Sequence, residues 1–230
     1  MSDVDFYLQQ SSSDCTSSAH RWFRMKLRSK ETLEAMHRWL GVPRSRRRAA
    51  AIASSMSPLR LNLGCGPVPL AGWVNIDIAG SSADLIWDLR RGLPYSDMSC
   101  TAIFHEHTLE HLTLGDGLAM LRECHRVLLP GGVLRLGVPD FGAYVRSYVD
   151  DGRGILSSVR PGRPTLMFAL QEVIYGYGHR AVFDEETLAT LLVAAGFDSP
   201  RRRDYGDSAM IPCPDSEARR DETLYMETAR

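Results

Sequence analysis

In Leu59-Arg60-Leu61-Asn62-Leu63 three leucines alternate with polar residues, and the run stops at Gly64-Cys65-Gly66. No other stretch restricts the fold as much. Period-two alternation marks a strand with a buried face, and a Gly-x-Gly directly after it marks a tight turn. Glycine accepts positive φ without strain and leaves bare backbone for a ligand to approach. In an open α/β sheet, a nucleotide-like ligand sits beyond the carboxyl end of the first strand. Many turns carry Gly-x-Gly, so the reading depends on the residues downstream of Gly66.

A second alternation stands in Val74-Asn75-Ile76-Asp77-Ile78. Val74, Ile76 and Ile78 share one face of a strand, Asn75 and Asp77 the other. An acid at the end of a second strand can accept from two adjacent ribose hydroxyls, and Asp77 is so placed. As a plain turn former Asp77 would mean nothing; paired with the glycines it points to a cofactor. Between the two strands lie only the residues Gly64 to Trp73, with prolines at 67 and 69. Parallel strands need a crossover of about a dozen residues, as a rule with a helix, so the first helix is expected to be a turn or two at most.

From Leu61 to Asp140 the chain resembles a class I S-adenosylmethionine-dependent methyltransferase. More narrowly, it is similar to the small bacterial group of the methyltransferase type 11-like kind. The residues that carry the resemblance are Leu-Asn-Leu-Gly-Cys-Gly-Pro (61–67), Gly-Trp-Val-Asn-Ile-Asp (72–77), Leu-Pro-Tyr-Ser-Asp (93–97) and Leu-Glu-His (109–111). To these is added Leu-Arg-Glu-Cys-His-Arg-Val-Leu-Leu-Pro-Gly-Gly (121–132), running into Val133 to Asp140. The resemblance implies a Rossmann-like, doubly wound, mainly parallel seven-stranded α/β sheet. It also implies a C-terminal antiparallel strand pair, here about Arg201–Tyr205 and Thr223–Thr228, and a shortened first crossover.

The same resemblance implies S-adenosyl-L-methionine as cofactor. Asn62, Gly64, Cys65 and Gly66 would lie at its amino-acid end, with the glycine loop cradling it through backbone. Asp77 would hold its ribose, and Asp88 and Leu89, after a third strand at 83–87, its adenine. Asn62 departs from the acidic residue many relatives carry there. A fourth strand, Cys100 to Phe104, leads into His105-Glu106-His107-Thr108-Leu109-Glu110-His111. His105 and Glu106 are candidates to position or deprotonate a methyl acceptor, as is His179 in Gly176-Tyr177-Gly178-His179-Arg180. Asp140 is a second-tier candidate. His107 and His111 are four apart, but Thr108 stands where an HExxH zinc helix has glutamate. No metal site is expected.

Composition limits the alternatives. The chain of 230 residues is 44% hydrophobic and 24% charged, with a formal charge of −1, as in an ordinary globular protein. Nothing global points to nucleic acid. Residues 1–57 carry ten Lys/Arg against five Asp/Glu, and the remainder 17 against 23, so a basic arm precedes an acidic domain. We divide the chain there, into 1–57 and 58–230. The arm reads as a disordered Ser-rich start, a basic amphipathic helix over residues 18–40, and a solvated linker at Arg44–Arg48. That helix reads first as an accessory helix packed on the domain, with a partner or dimer helix and peripheral contact with a membrane surface as the alternatives. Five cysteines without CxxC spacing suit a reducing, cytoplasmic setting. No apolar run is long enough to span a membrane.

Helices are expected over Leu114–Leu129, Thr165–Tyr175 and from Asp184 to Ala195, with a mobile loop over 151–164. The function expected is methyl transfer to a small-molecule or glycan acceptor. The alternative is a non-catalytic module of the same fold docked through its basic N-terminal helix. A dinucleotide oxidoreductase is disfavoured, because Pro69 occupies the third position of G-x-G-x-x-G.

Overall fold

The alternation at Leu59–Leu63 does become the first strand of a sheet. The computed structural model describes residues 42–151 and 154–230. The Ser-rich start and the helix expected at 18–40 lie outside the described residues. Strands β1 (Leu59–Leu63), β2 (Val74–Asp77), β3 (Leu85–Ile86), β4 (Cys100–Glu106), β5 (Leu128–Pro139), β6 (Asp198–Arg203) and β7 (Thr223–Ala229) form one seven-stranded sheet of order β3-β2-β1-β4-β5-β7-β6. The first five are parallel; β7 runs antiparallel to both β5 and β6. The winding direction reverses between β1 and β4, and such a switch point opens a crevice at the carboxyl ends of those strands.

Leu61, Leu63, Ile76, Ile103, Leu134 and Leu136 are fully buried in the sheet, each contributing about 1.5–3 kcal/mol through lost apolar surface. Helix α1 (Val42–Ser55) packs Ala49 and Ile52 into the same core. This corrects the linker expected at Arg44–Arg48: the arginines are the wet face of a helix whose apolar residues follow them. Helix α2 (Leu114–Val127) is capped by Thr113, whose hydroxyl accepts from Asp116 N. It brings Met120, Leu121, Cys124 and Val127 to the core. Helices α3 (Phe141–Val149), α4 (Ile155–Val159) and α5 (Leu166–Gln171) follow β5. Tyr144, Leu156, Ala169, Leu170 and Val173 make a small core of their own. The loop expected at 151–164 therefore contains a helical turn. A wider π turn, Glu172–Gly176, ends the segment, and helix α6 (Glu185–Ala194) begins at the Asp184 cap.

The first crossover is shorter than expected, with no helix at all between β1 and β2. A side-chain network stands in its place. Asn75 Oδ1 accepts from Leu70 N at 2.8 Å and from Asn62 Nδ2 at 2.9 Å, while Asn75 Nδ2 donates to Leu70 O and to Asp84 Oδ2. The Pro130-Gly131-Gly132 turn is likewise absorbed into β5 as an irregularity between the pairs Cys100–Leu128 and Ala102–Val133. The segment after β6 is held over the sheet by Arg135, buried on β5, whose Nε and Nη2 reach both carboxylate oxygens of Asp215 at 2.6 and 2.5 Å.

Candidate functional site

The carboxyl ends of β1 and β2 are joined by Asp77. Its Oδ2 accepts from Gly66 N at 2.9 Å and its Oδ1 from Ala79 N at 3.3 Å. Gly64 N and Cys65 N both donate to Ile76 O, at 2.8 and 3.1 Å. All three amides of the glycine loop thus point at β2, so a backbone cradle here would act through carbonyls. The polar groups left to a ligand are carbonyls, on a surface kept bare by glycine. Gly66 has φ +56, and a Cβ there would meet nothing within 4 Å. Gly64 is glycine for another reason: a Cβ on it would lie 2.1 Å from Thr108 Oγ1. Thr108 Oγ1 in turn lies 3.2 Å from Leu63 O, so the loop after β4 packs on the glycine turn.

A carboxylate has about four acceptor positions. Asp77 is half-exposed and uses two. The open space beside Gly66 and the remaining acceptors of Asp77 therefore fit a ribose. Asn62 does not belong to this group. It is 4% exposed and bonded to Asn75, a strut between two strands rather than a ligand contact. Asp88 and Leu89 also depart from expectation. Asp88 caps the 3-10 turn Leu89–Arg91 and pairs with Arg90 at 2.8 Å. Burial pushes its carboxyl up, but the Arg90 hydrogen bonds and charge hold it below the usual range. Leu89 is buried in the main core rather than offered to an adenine.

Along β4 the faces alternate. Ala102 and Phe104 pack with Trp73 and Met210, while Ile103 packs in the main core. His105 shares the Ile103 face by alternation and is wholly buried, with no hydrogen-bond partner at either ring nitrogen. Burial lowers its pKa from the ordinary 6.5 to about 4, against the opposing charge of Glu110. It is a neutral, enclosed imidazole, which corrects its expected place at the acceptor. Glu106 points the other way. Its Oε1 accepts from Tyr225 Oη at 2.8 Å and from Ser216 N at 3.2 Å. Burial raises its pKa despite those bonds. Asp140 caps α3 by accepting from Ala143 N, and pairs with Arg202.

The 3-10 turn Leu109–His111 carries a residue that spacing did not single out. Glu110 is 1% exposed, and neither of its oxygens has a hydrogen-bond partner. His107 Nδ1 lies 3.3 Å from Oε1, in ion-pair rather than hydrogen-bond geometry. Burial pushes Glu110 up, but His107, with weaker help from His111 and His179, holds it below the usual carboxylate range. The Glu110 carbonyl accepts from Arg180 N at 2.7 Å and Ala181 N at 3.2 Å, tying the 179–181 segment to the turn. The rings of His111 and His179 thereby meet at 5.0 Å, edge to face. Burial lowers the His179 pKa, against the pull of Glu110.

A family model described as a methyltransferase domain matches residues 85–136. No curated protein sequence matches the chain. Among solved structures, a SAM-dependent methyltransferase from Thermotoga maritima is 16% identical, with 91% of this chain and 98% of that one covered and a TM-score of 0.46. One from Archaeoglobus fulgidus is 15% identical over 92% and 99%, also at 0.46. One from Mesorhizobium loti is 16% identical over 79% and 96%, at 0.43. Likenesses at this level say nothing of what this chain acts on. Within a Rossmann-like α/β fold, residues 85–136 are thus similar to a methyltransferase domain. Among the described residues no helix is long and apolar enough to cross a membrane.

Proposed function

We propose that this domain binds S-adenosylmethionine at Gly66 and Asp77 and transfers its methyl group to a small-molecule or glycan acceptor. The observation that carries the reading is the turn itself: Gly66 opens to free space while Asp77 clamps it and keeps acceptor positions in hand. The cofactor supplies a methyl group on a sulfonium, whose departure needs no proton. The protein then has to orient the acceptor, exclude water, and take a proton where the acceptor is a hydroxyl or protonated amine.

Of the three acid–base candidates, Glu106 suits the last task best. Its carboxyl is raised, its Oε1 is fixed by two donors, and its Oε2 makes no hydrogen bond among the described residues. His105 is sealed in the core, and His179 is engaged elsewhere. Calorimetric titration with S-adenosylhomocysteine, with NAD as control, tests the cofactor. Micromolar binding that falls roughly 10–100-fold in Asp77→Ala supports the reading, the size of lost hydrogen bonds to a charged acceptor. No binding by the folded wild-type protein overturns it and favours the non-catalytic alternative.

A further inference from the structure

We propose that Glu110, His111 and His179 form a binding site for one divalent transition-metal ion of the zinc type. One oxygen of Glu110 and one nitrogen of each histidine lie within 4.8 Å of one another. Two imidazoles and a carboxylate are a common zinc donor set, one that leaves a fourth position open.

Three further observations support a cation here. First, Glu110 is buried with neither oxygen hydrogen-bonded. A buried carboxylate with no hydrogen-bond donor, and only the His107 ring beside one oxygen, is costly to desolvate and is retained where a cation compensates it. Second, His179 is already set as a ligand. Its Nδ1 lies 2.6 Å from Val173 O and must donate to that carbonyl. The proton is thereby fixed on Nδ1, and Nε2 keeps its lone pair. A backbone carbonyl holding the far nitrogen is the usual support of a metal-bound histidine.

Third, the Thr223 hydroxyl donates to Arg219 O at 2.7 Å, so it accepts from His107 Nε2 at 2.9 Å. His107 is thus fixed by Thr223 beside Glu110, and an oxygen of Glu110 remains within 4.8 Å of one nitrogen each of His111 and His179. Contiguous spacing hid the site. His107 and His111 do not form an HExxH pair; the second histidine comes instead from residue 179, fixed against the turn by the Glu110 carbonyl.

The test uses the full chain, stripped with a chelator and titrated with Co²⁺ alone. Visible d–d absorption reports the coordination, and Zn²⁺ competes for the site. We expect one equivalent of Co²⁺ with a tetrahedral spectrum, displaced by Zn²⁺. Affinity should fall at least 100-fold in His179→Ala and Glu110→Gln and stay unchanged in His125→Ala, with folding checked by circular dichroism. If Glu110→Gln does not fold, His179→Ala carries the result, since His179 is only half-buried. No saturable binding, or equal affinity in wild type and His179→Ala, overturns the proposal. Neither outcome depends on S-adenosylhomocysteine binding, so the two readings fail separately.

Discussion

At the β1–β2 end of the sheet, Asn62, Asn75 and Asp84 are joined by hydrogen bonds of 2.9 to 3.0 Å, and both asparagines are at most 5% exposed. At the β4 end, His105 and Glu110 are at least as deeply buried and have no hydrogen bonds on their side chains. The first region is a finished scaffold: its network replaces a missing crossover helix and ties the Leu70 turn to β1 and β2. The second keeps the energetic cost of unpaired polar groups, a cost that natural cores carry mainly where something is to be bound or done. The contrast teaches where to look for chemistry. The residues next to Gly66 hold a shape, and those around Glu110 hold a buried carboxylate without hydrogen bonds.

Breaking the finished side should have the largest effect. Asn75→Ala leaves Asn62 Nδ2 and Leu70 N without their partner and removes one of two bonds to Leu70 O and to Asp84 Oδ2, and should cost about 4 kcal/mol. Thermal unfolding should then fall by roughly 10 °C. Next comes acid sensitivity at the β4 end, measured on metal-free protein. His105 is neutral in both states above its ordinary pKa of 6.5, and in the folded state down to about 4. As pH falls through that window the unfolded chain takes up a proton that the folded chain refuses. Stability therefore drains by about 3 kcal/mol, and His105→Leu should lose correspondingly less in urea titrations at pH 7 and pH 4. At neutral pH the same substitution should be neutral or slightly stabilising, the reverse of Asn75→Ala.

The two glycines sharpen the comparison further. Gly64→Ala drives a methyl into Thr108 and should cost about 2 kcal/mol in denaturant unfolding. Gly66→Ala meets no atom but stands at φ +56, so its cost should be about 1 kcal/mol. Its larger effect should be on calorimetric affinity for S-adenosylhomocysteine, because the methyl occupies the space offered to the ligand.

The strand at Leu59–Leu63 was legible because period-two alternation ending in Gly-x-Gly admits few other folds, and Asp77 was legible from its place at the end of β2. The Asn62–Asn75 strut was not. It depends on the register that sets Asn62 beside Asn75 across thirteen residues, and no local pattern reports register. Arg44–Arg48 read as a linker because four arginines dominate the stretch, whereas the buried face of α1 rests on Ala49 and Ile52 behind them. Asp88 satisfied a family position by type, yet its local chemistry, an arginine two residues on, made it a cap. Glu110 and His179 escaped notice as a pair because ligand spacing rules test neighbours in sequence, and these two meet only where the chain folds back after the π turn at Glu172–Gly176.

The most direct test of this division is a crystal grown with S-adenosylhomocysteine and Zn²⁺, with diffraction recorded on both sides of the zinc absorption edge. Ligand density is expected against Gly66 and Asp77. A single anomalous peak is also expected about 2.0–2.2 Å from Glu110, His111 and His179. Ligand density with no peak at Glu110, or a peak held by other residues, would mean that the buried carboxylate at the β4 end is not there to bind a metal.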